Sequence, residues 1–388
     1  MRWALLAQVW VDDPTVVVSG SNVQVYYIAQ ELARRGEDVL VLLSGHPTAW
    51  ERTEGKLTLI SLPACGRGLR GWFHPRWMRR AEDILRAFAP DVLYQRGKLP
   101  ESVLAARYSR RHDALFVWCS NADNSARRWK FVRKRLRYRR SPWWLLPARL
   151  LEAAAADFAI QRAIRSAGLV LAQTRYQRET LRAVLGKEPQ LLGSGHPLPP
   201  PPPERTELPP VVLWLANLTP MKQPLVFVRI AHRLQHCNAH FLMAGAAPNG
   251  TLRATVEHAA RQLANFSYFG PVSFRDTAAL FARASLFVLT SEFEFEGIPN
   301  TVIQACLHGV PTLSLRNDPD ELIRTHRIGE VAEDEAALAA AVEQWLSDPA
   351  GRREAGQRAY LLARSQFDIH RVVDRLQELV RGALRGRA

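Results

Sequence analysis

Two successive trains of apolar runs, each run followed by helical periodicity, constrain this 388-residue chain more than any other feature. Residues 39–43, 92–94, 115–118 and 169–172 are continuous apolar runs rather than alternating ones. Parallel strands covered by helices on both faces read this way. The same pattern restarts at 211–216, 240–244, 286–289 and 312–315. The expectation is therefore an α/β chain of two doubly wound domains in sequence. Between them lie Gly193, Ser194, Gly195 and His196, then Pro197, Leu198 and five consecutive prolines, Pro199 to Pro203. Such a stretch continues neither a helix nor a sheet interior and tends to a semi-rigid extended form. The expected division is 1–196 for the first domain, 197–209 for a hinge, 210–365 for the second domain and 366–388 for a C-terminal helix and basic tail. Residues 351–385 read as helical throughout.

A chain of this length exceeds what one core usually supports, in keeping with two domains. The opening residues hold one arginine in a short apolar run that ends in Asp12 and Asp13, and they read as a first strand rather than a secretion signal. No run reaches the roughly 18 apolar residues of a spanning helix. Cys65, Cys119, Cys237 and Cys306 are scattered without a CxxC pair, which argues against a disulfide framework and a zinc site and fits a reducing cytoplasm. Of the net charge of +15, residues 1–196 contribute 32 Lys+Arg against 17 Asp+Glu, while residues 197–388 balance at 20 and 20. An excess confined to one half speaks to an anionic partner of that half, not to fold.

Three segments carry chemistry. The turn Ser19, Gly20, Ser21 and Asn22 feeds a helix whose N-terminal N–H groups and dipole suit a phosphate or a sugar; a plain turn with Ser21 or Asn22 as N-cap is the bland alternative. The run at 211–216 leads into Asn217 and then Lys222, at a strand's carboxyl end, where open α/β sheets bind ligands. Lys222 is there either a point charge for a diphosphate or a solvated surface lysine. The third segment follows 286–289 and holds Glu296, Gly297, Ile298, Pro299, Asn300, Thr301 and Gln304, ending at Gly309 and Pro311. Asn300 or Thr301 starts a helix whose N-terminus offers N–H groups to a diphosphate, Glu296 can accept from sugar hydroxyls, and Gln304 lies about one turn inside. An acidic surface loop capping a core helix is the alternative.

This third segment resembles the retaining glycosyltransferases of the GT-B fold, family 4, whose signature is a glutamate, seven residues and a second glutamate. Here the pair is Glu296 and Gln304, so an amide replaces the second acid. The resemblance implies two Rossmann-like domains facing each other across a cleft, with the nucleotide-sugar donor on the C-terminal domain and the acceptor on the N-terminal one. It implies that Glu296 contacts the donor sugar and Gln304 the ribose, with Lys222 on the diphosphate. The arginine that partners this lysine in the family is Asn217 here. Gly20 resembles the family's N-terminal glycine loop, Gly245 its glycine turn, and Gly270 and Val272 the segment beside the donor base. Many relatives place a histidine after the strand at 115–118; this chain has Asn121 and Asp123 there, as sugar-contacting candidates or plain loop residues. The implied reaction is metal-independent transfer with retention to a lipid-linked or saccharide acceptor, without a cofactor, in the synthesis of a cell-surface polysaccharide or glycolipid. The rivals are a nucleotide-sugar epimerase of the same fold and a degenerate module that only binds. Asp318 and Asp320 spell the DxD of metal-dependent transferases, but read as a loop and helix cap.

Nine of the fourteen residues 127–140 are Lys or Arg and none is acidic. Arg127, Arg128, Lys130, Arg133, Lys134 and Arg137 interleave with Trp129, and Trp143 and Trp144 follow. Cations beside amphipathic aromatics are what an anionic membrane surface requires, with a solvated charged face as the alternative. No nucleic-acid module accompanies the charge, so no nucleic-acid partner is expected. The expected place is the cytoplasm, peripheral on the inner face of the plasma membrane.

Overall fold

The computed structural model describes residues 1–13, 18–63, 74–125, 127–137, 143–201, 209–248, 250–292 and 297–386. The chain divides into two compact units, Met1–Gly195 with Ile369–Ala388, and His196–Asp368.

The first unit runs β1 (Arg2–Ala7), α1 (Gly20–Arg34), β2 (Asp38–Leu43), β3 (Trp50–Glu54), β4 (Leu57–Ser61), α2 (Pro75–Phe88), β5 (Val92–Arg96), α3 (Glu101–Ser109), β6 (Leu115–Cys119), α4 (Lys130–Arg137), α5 (Leu146–Arg165), β7 (Leu169–Ala172), α6 (Arg175–Leu185) and β8 (Gln190–Leu191). The strands form one sheet in the order β3-β4-β2-β1-β5-β6-β7-β8. Every pairing is parallel except β3 with β4. Successive side chains of β1 serve opposite faces: Trp3, Leu5 and Ala7 enter one core with Ile28 and Leu32 of α1, and Ala4 and Leu6 enter the other with Leu85, Leu104 and Ile160. That two-sided burial is why these strands read as unbroken apolar runs.

The second unit runs β9 (Val211–Leu215), α7 (Pro224–Arg233), β10 (His240–Ala244), α8 (Gly250–Gln262), β11 (Phe266–Tyr268), α9 (Thr277–Arg283), β12 (Ala284–Leu289), α10 (Asn300–Leu307), β13 (Thr312–Leu315), α11 (Leu322–His326), β14 (Gly329–Ala332), α12 (Glu335–Ser347) and α13 (Pro349–Gln366). Its parallel sheet has the order β11-β10-β9-β12-β13-β14. The chain steps outward from β9 through β10 to β11, then crosses back to β12 and steps outward the other way. The carboxyl ends of β9 and β12 therefore flank the topological switch point, where doubly wound sheets open a crevice.

The structure departs from the sequence-based expectation at three places. Residues 351–385 do not form one helical segment: Phe367 and Asp368 separate α13 from α14 (Ile369–Arg385), and the two helices belong to different units. The stripe Ile369, Val372, Val373, Leu376 and Val380 is buried in the core shared by β1 and α1, and each such side chain contributes about 1.5–3 kcal/mol on burial. Arg35 reaches from the end of α1 to Asp374, and His370 binds Glu31 at 2.8 Å. Charge matching thus completes the apolar fit. Second, β1 ends at Ala7, and Val9 to Val11 are buried outside any strand. Third, neither Ser21 nor Asn22 is the N-cap of α1. Ser19 holds that position, and Asn22 lies in the first turn with Oδ1 accepting from the Gln8 N–H at 3.3 Å.

No helix among the described residues is long and apolar enough to cross a membrane.

Candidate functional site

The carboxyl edge of the second sheet gathers most of the donor-binding candidates. The chain leaving β9 runs alongside the chain leaving β10, with the Leu218 N–H donating to Ala246 O at 2.8 Å. Gly245 permits this approach: its φ is +143°, and a Cβ there would lie 1.8 Å from Ala216 O. Only glycine adopts that conformation without strain. Gly245 N–H donates to Gly270 O at 2.8 Å, and the Tyr268 hydroxyl donates to Gly245 O at 2.8 Å. Asn217, Gly245 and Gly270 thus sit at three adjacent strand ends. Val272, two residues on, is partly buried against the core.

A staple joins the two loops of the switch point. Thr290, just past β12, donates its hydroxyl to Lys222 O at 2.6 Å and accepts from Trp214 Nε1 of β9 at 2.8 Å. The Glu292 N–H donates to Met221 O at 3.0 Å. Trp214 and Thr290 are both buried, so neither bond competes freely with water. Lys222 itself is half-buried, and desolvation pushes its pKa down to about 8. An ammonium held at such cost is restored to its ordinary range by a nearby anion. The neighbouring α10 begins with Asn300 and Thr301 after Pro299 at the N-cap position. Its first turn directs N–H groups and the positive dipole end outward.

Glu296, the first acid of the sequence signature, lies outside the described residues. Gly297, Ile298 and Pro299 are buried beneath the start of α10, with Ile298 in the core. Gln304 is buried too, and its amide donates from Nε2 to Thr277 Oγ1 at 2.8 Å, while Thr277 donates onward to Phe274 O at 2.7 Å. This chain has a local reason for an amide there. A carboxylate could not donate to a hydroxyl whose proton is already committed.

Absent from the sequence-derived candidates is His196, which the expected division put at the end of the first domain and the structure puts at the start of the second unit. His196 is 1% exposed, its N–H donates to Phe367 O at 2.8 Å, and its Nε2 lies 3.0 Å from Asn300 Oδ1. Burial pushes its pKa down to about 4. A neutral imidazole therefore grips the first residue of α10. A lone histidine beside a proline run carries no signal of this. The DxD pair behaves as a cap: Asp318 accepts from the N–H groups of Ile323 at 2.8 Å and Arg324 at 3.2 Å.

In the first unit Gly20 opens α1 and is exposed. Asp123 is buried and accepts from Gln177 Nε2 at 2.9 Å, while Asn121 is partly exposed and accepts from Ser125 Oγ at 2.9 Å. Asp123 thereby holds the loop after β6 against α6. Also missed were Arg96 and Lys98, both fully buried at the end of β5. Arg96 donates to Ser194 Oγ at 2.8 Å, and Lys98 donates to Arg127 O at 2.8 Å and lies 3.3 Å from Asp157 Oδ1. Two cations ending an apolar strand were the available sign.

Arg127 precedes α4 partly exposed; Arg128, Trp129, Arg133, Lys134 and Arg137 are exposed, as is Trp144 beyond it. Lys130 is partly covered, and burial, then the Lys98 and Lys134 charges, push it down to about 8. Trp143 opens a short 3₁₀ turn, and its side chain lies outside the described atoms.

Two family models match the chain: "Glycosyl transferase 4-like domain" over residues 19–192 and "Glycosyl transferases group 1" over residues 209–348. No curated protein matches. Among solved structures, sucrose-phosphate synthase from Thermosynechococcus elongatus is similar at 16% identity and TM-score 0.77, covering 99% of each chain. HepE of Anabaena, in complex with UDP and glucose, is similar at 16% identity and TM-score 0.70, covering 98% of this chain and 100% of that one. The catalytic domain of starch synthase IV from Arabidopsis thaliana, bound to ADP and acarbose, is similar at 13% identity and TM-score 0.70, covering 99% of each. With both units matched along most of their length, and with switch-point loops where such a sheet binds its ligand, the chain belongs to the group 1, family 4-like glycosyltransferases and has the GT-B architecture of two Rossmann-like domains.

Proposed function

We propose that the protein transfers a sugar, with retention of configuration, from a UDP- or GDP-sugar to a lipid-linked or saccharide acceptor, as a peripheral enzyme at the inner face of the plasma membrane. The observation that supports this reading is the switch-point staple, which ties the backbone of half-buried Lys222 to the start of the loop that runs from β12 to α10. The Lys222 ammonium and the N-terminus of α10 neutralise negative charge that grows on a departing diphosphate. In the proposed reaction the bond from the anomeric carbon to the diphosphate oxygen breaks while the acceptor oxygen bonds to the same face of that carbon. The acceptor's proton passes to the leaving phosphate oxygen. Glu296 holds the donor sugar and Gln304 the ribose, the amide serving through its oxygen. In the proposed reaction Asn121 contacts the transferred sugar, while Asp123 holds its loop through Gln177. No resident cofactor or metal is called on. The UDP of HepE and the ADP of starch synthase IV support a nucleotide as the bound product.

The test is turnover of a panel of UDP- and GDP-sugars in the presence of a membrane extract, with the anomeric configuration of the product read by NMR. One donor is expected to be consumed with retention, and Glu296→Ala to abolish the transfer. Inversion, or an active Glu296→Ala enzyme, contradicts the proposal.

A further inference from the structure

The outward face of α5 is inverted relative to an ordinary surface helix. Its buried side is built from Ala153, Ala156, Ile160, Ala163 and Ile164, yet its exposed side is also apolar. Pro147, Ala148, Leu151, Ala155 and Phe158 follow one another along it before Arg162 and Arg165. Leu151 is 73% and Phe158 66% exposed, and Trp144, one heptad before Leu151, is 63% exposed. Six of the eleven large hydrophobic side chains exposed among the described residues (Trp129, Leu136, Trp144, Leu145, Leu151 and Phe158) fall within this one stretch of chain. Scattered exposed apolar groups need no explanation, whereas a concentrated patch does.

Alongside runs α4, whose exposed Arg133, Lys134 and Arg137 make it strongly basic. The two helices are locked together. Asp157 of α5 accepts from the Phe131 and Val132 N–H groups of α4's first turn at 2.9 and 3.1 Å, and buried Lys98 lies 3.3 Å from the same carboxylate. The exposed cations and the exposed apolar stripe are therefore carried by two helices held together by one buried carboxylate.

We infer that this face of α4 and α5 docks on an anionic lipid bilayer, with Leu151 and Phe158 entering the headgroup boundary and Arg133, Lys134 and Arg137 against lipid phosphates. The inference deepens the membrane placement proposed above by naming the residues that make it. Charge and apolarity decide the occupant together. A second copy of this chain would bring the same cations face to face across an isologous contact. A nucleic acid would satisfy the cations and could stack on Trp144 or Phe158, but it leaves the aliphatic part of the stripe, Leu151 with Ala148 and Ala155, in water. An interfacial membrane helix needs both features at once.

Flotation of the full chain with phosphatidylcholine vesicles, with and without phosphatidylglycerol, tests this without any sugar donor. Binding is expected only to the anionic vesicles and is weakened by salt. The double variant Leu151→Ser, Phe158→Ser is expected to lower partitioning by about tenfold or more. Replacing Arg133 or Lys134 by Ala costs about fivefold each. These side chains are exposed, so thermal unfolding and nucleoside diphosphate binding stay at wild-type values in the same preparations. Failure of the wild type to float, equal flotation of the double variant, a concentration-dependent dimer lost in that variant, or retention on RNA without retention on vesicles would each overturn the inference. Loss of nucleotide binding by the wild type, with flotation intact, would sink the donor reading instead.

Discussion

The Nε2 of His196 lies 3.0 Å from Oδ1 of Asn300, so the first residue of the second unit holds the first residue of the helix proposed to face the donor diphosphate. The imidazole is buried and neutral and donates from Nε2, while the backbone N–H of His196 donates to Phe367 O. His196→Leu leaves Asn300 without that bond and is expected to weaken nucleoside diphosphate binding by about fivefold to tenfold, in line with one buried hydrogen bond. His196→Gln keeps a donor and restores most of the affinity, which calorimetric titration reads directly. The same residue sets an acid limit. An unfolded histidine takes up a proton below its ordinary pKa of 6.5, whereas folded His196 refuses one until about pH 4. Stability from this group is therefore full above pH 6.5 and declines as the pH falls toward 4, by on the order of 3 kcal/mol if the shift is fully expressed. Urea unfolding across that range should show a shallower decline for His196→Gln.

Gln304 gives a second expectation. Its amide donates to Thr277, which donates onward to Phe274 O. Glu at 304 forces the threonine hydroxyl to turn back and abandon Phe274, a loss of about 1 kcal/mol. Thermal unfolding should shift down by about 2–4 °C. Transfer itself should persist, because a carboxylate still accepts from a ribose hydroxyl. An inactive Gln304→Glu enzyme would show that the amide does more than complement Thr277.

The doubly wound halves were legible in the sequence because each central strand is buried on both faces, which forces continuous apolar runs such as residues 211–215 and 240–244. The location of Lys222 past the carboxyl end of β9 was legible in the same way. The break at Phe367 and Asp368 was not legible, because helical periodicity persists on both sides and the apolar stripe of α14 does not say which unit it serves. Nor were His196 and Thr290, whose importance lies in partners 104 and 68 residues away, a separation that no local pattern encodes. The basic stretch was readable as charge. The apolar outer face of α5 was not, since Leu151 and Phe158 sit at a spacing that equally describes a core-facing helix.

In the proposed function the carboxyl edge of the second sheet grips the donor's diphosphate through Lys222. Calorimetric titration of UDP and GDP into the wild type and Lys222→Ala tests it most directly, repeated at rising pH. Lys222 is depressed to about 8 in the unliganded protein, so its charge, and with it nucleotide affinity, should fall as the pH rises through about 8. One of the two nucleotides is expected to bind, Lys222→Ala to bind it about tenfold or more weakly with an unchanged unfolding temperature, and the variant to lose the alkaline decline. Equal affinity in the two proteins, with the same pH profile, would contradict the claim.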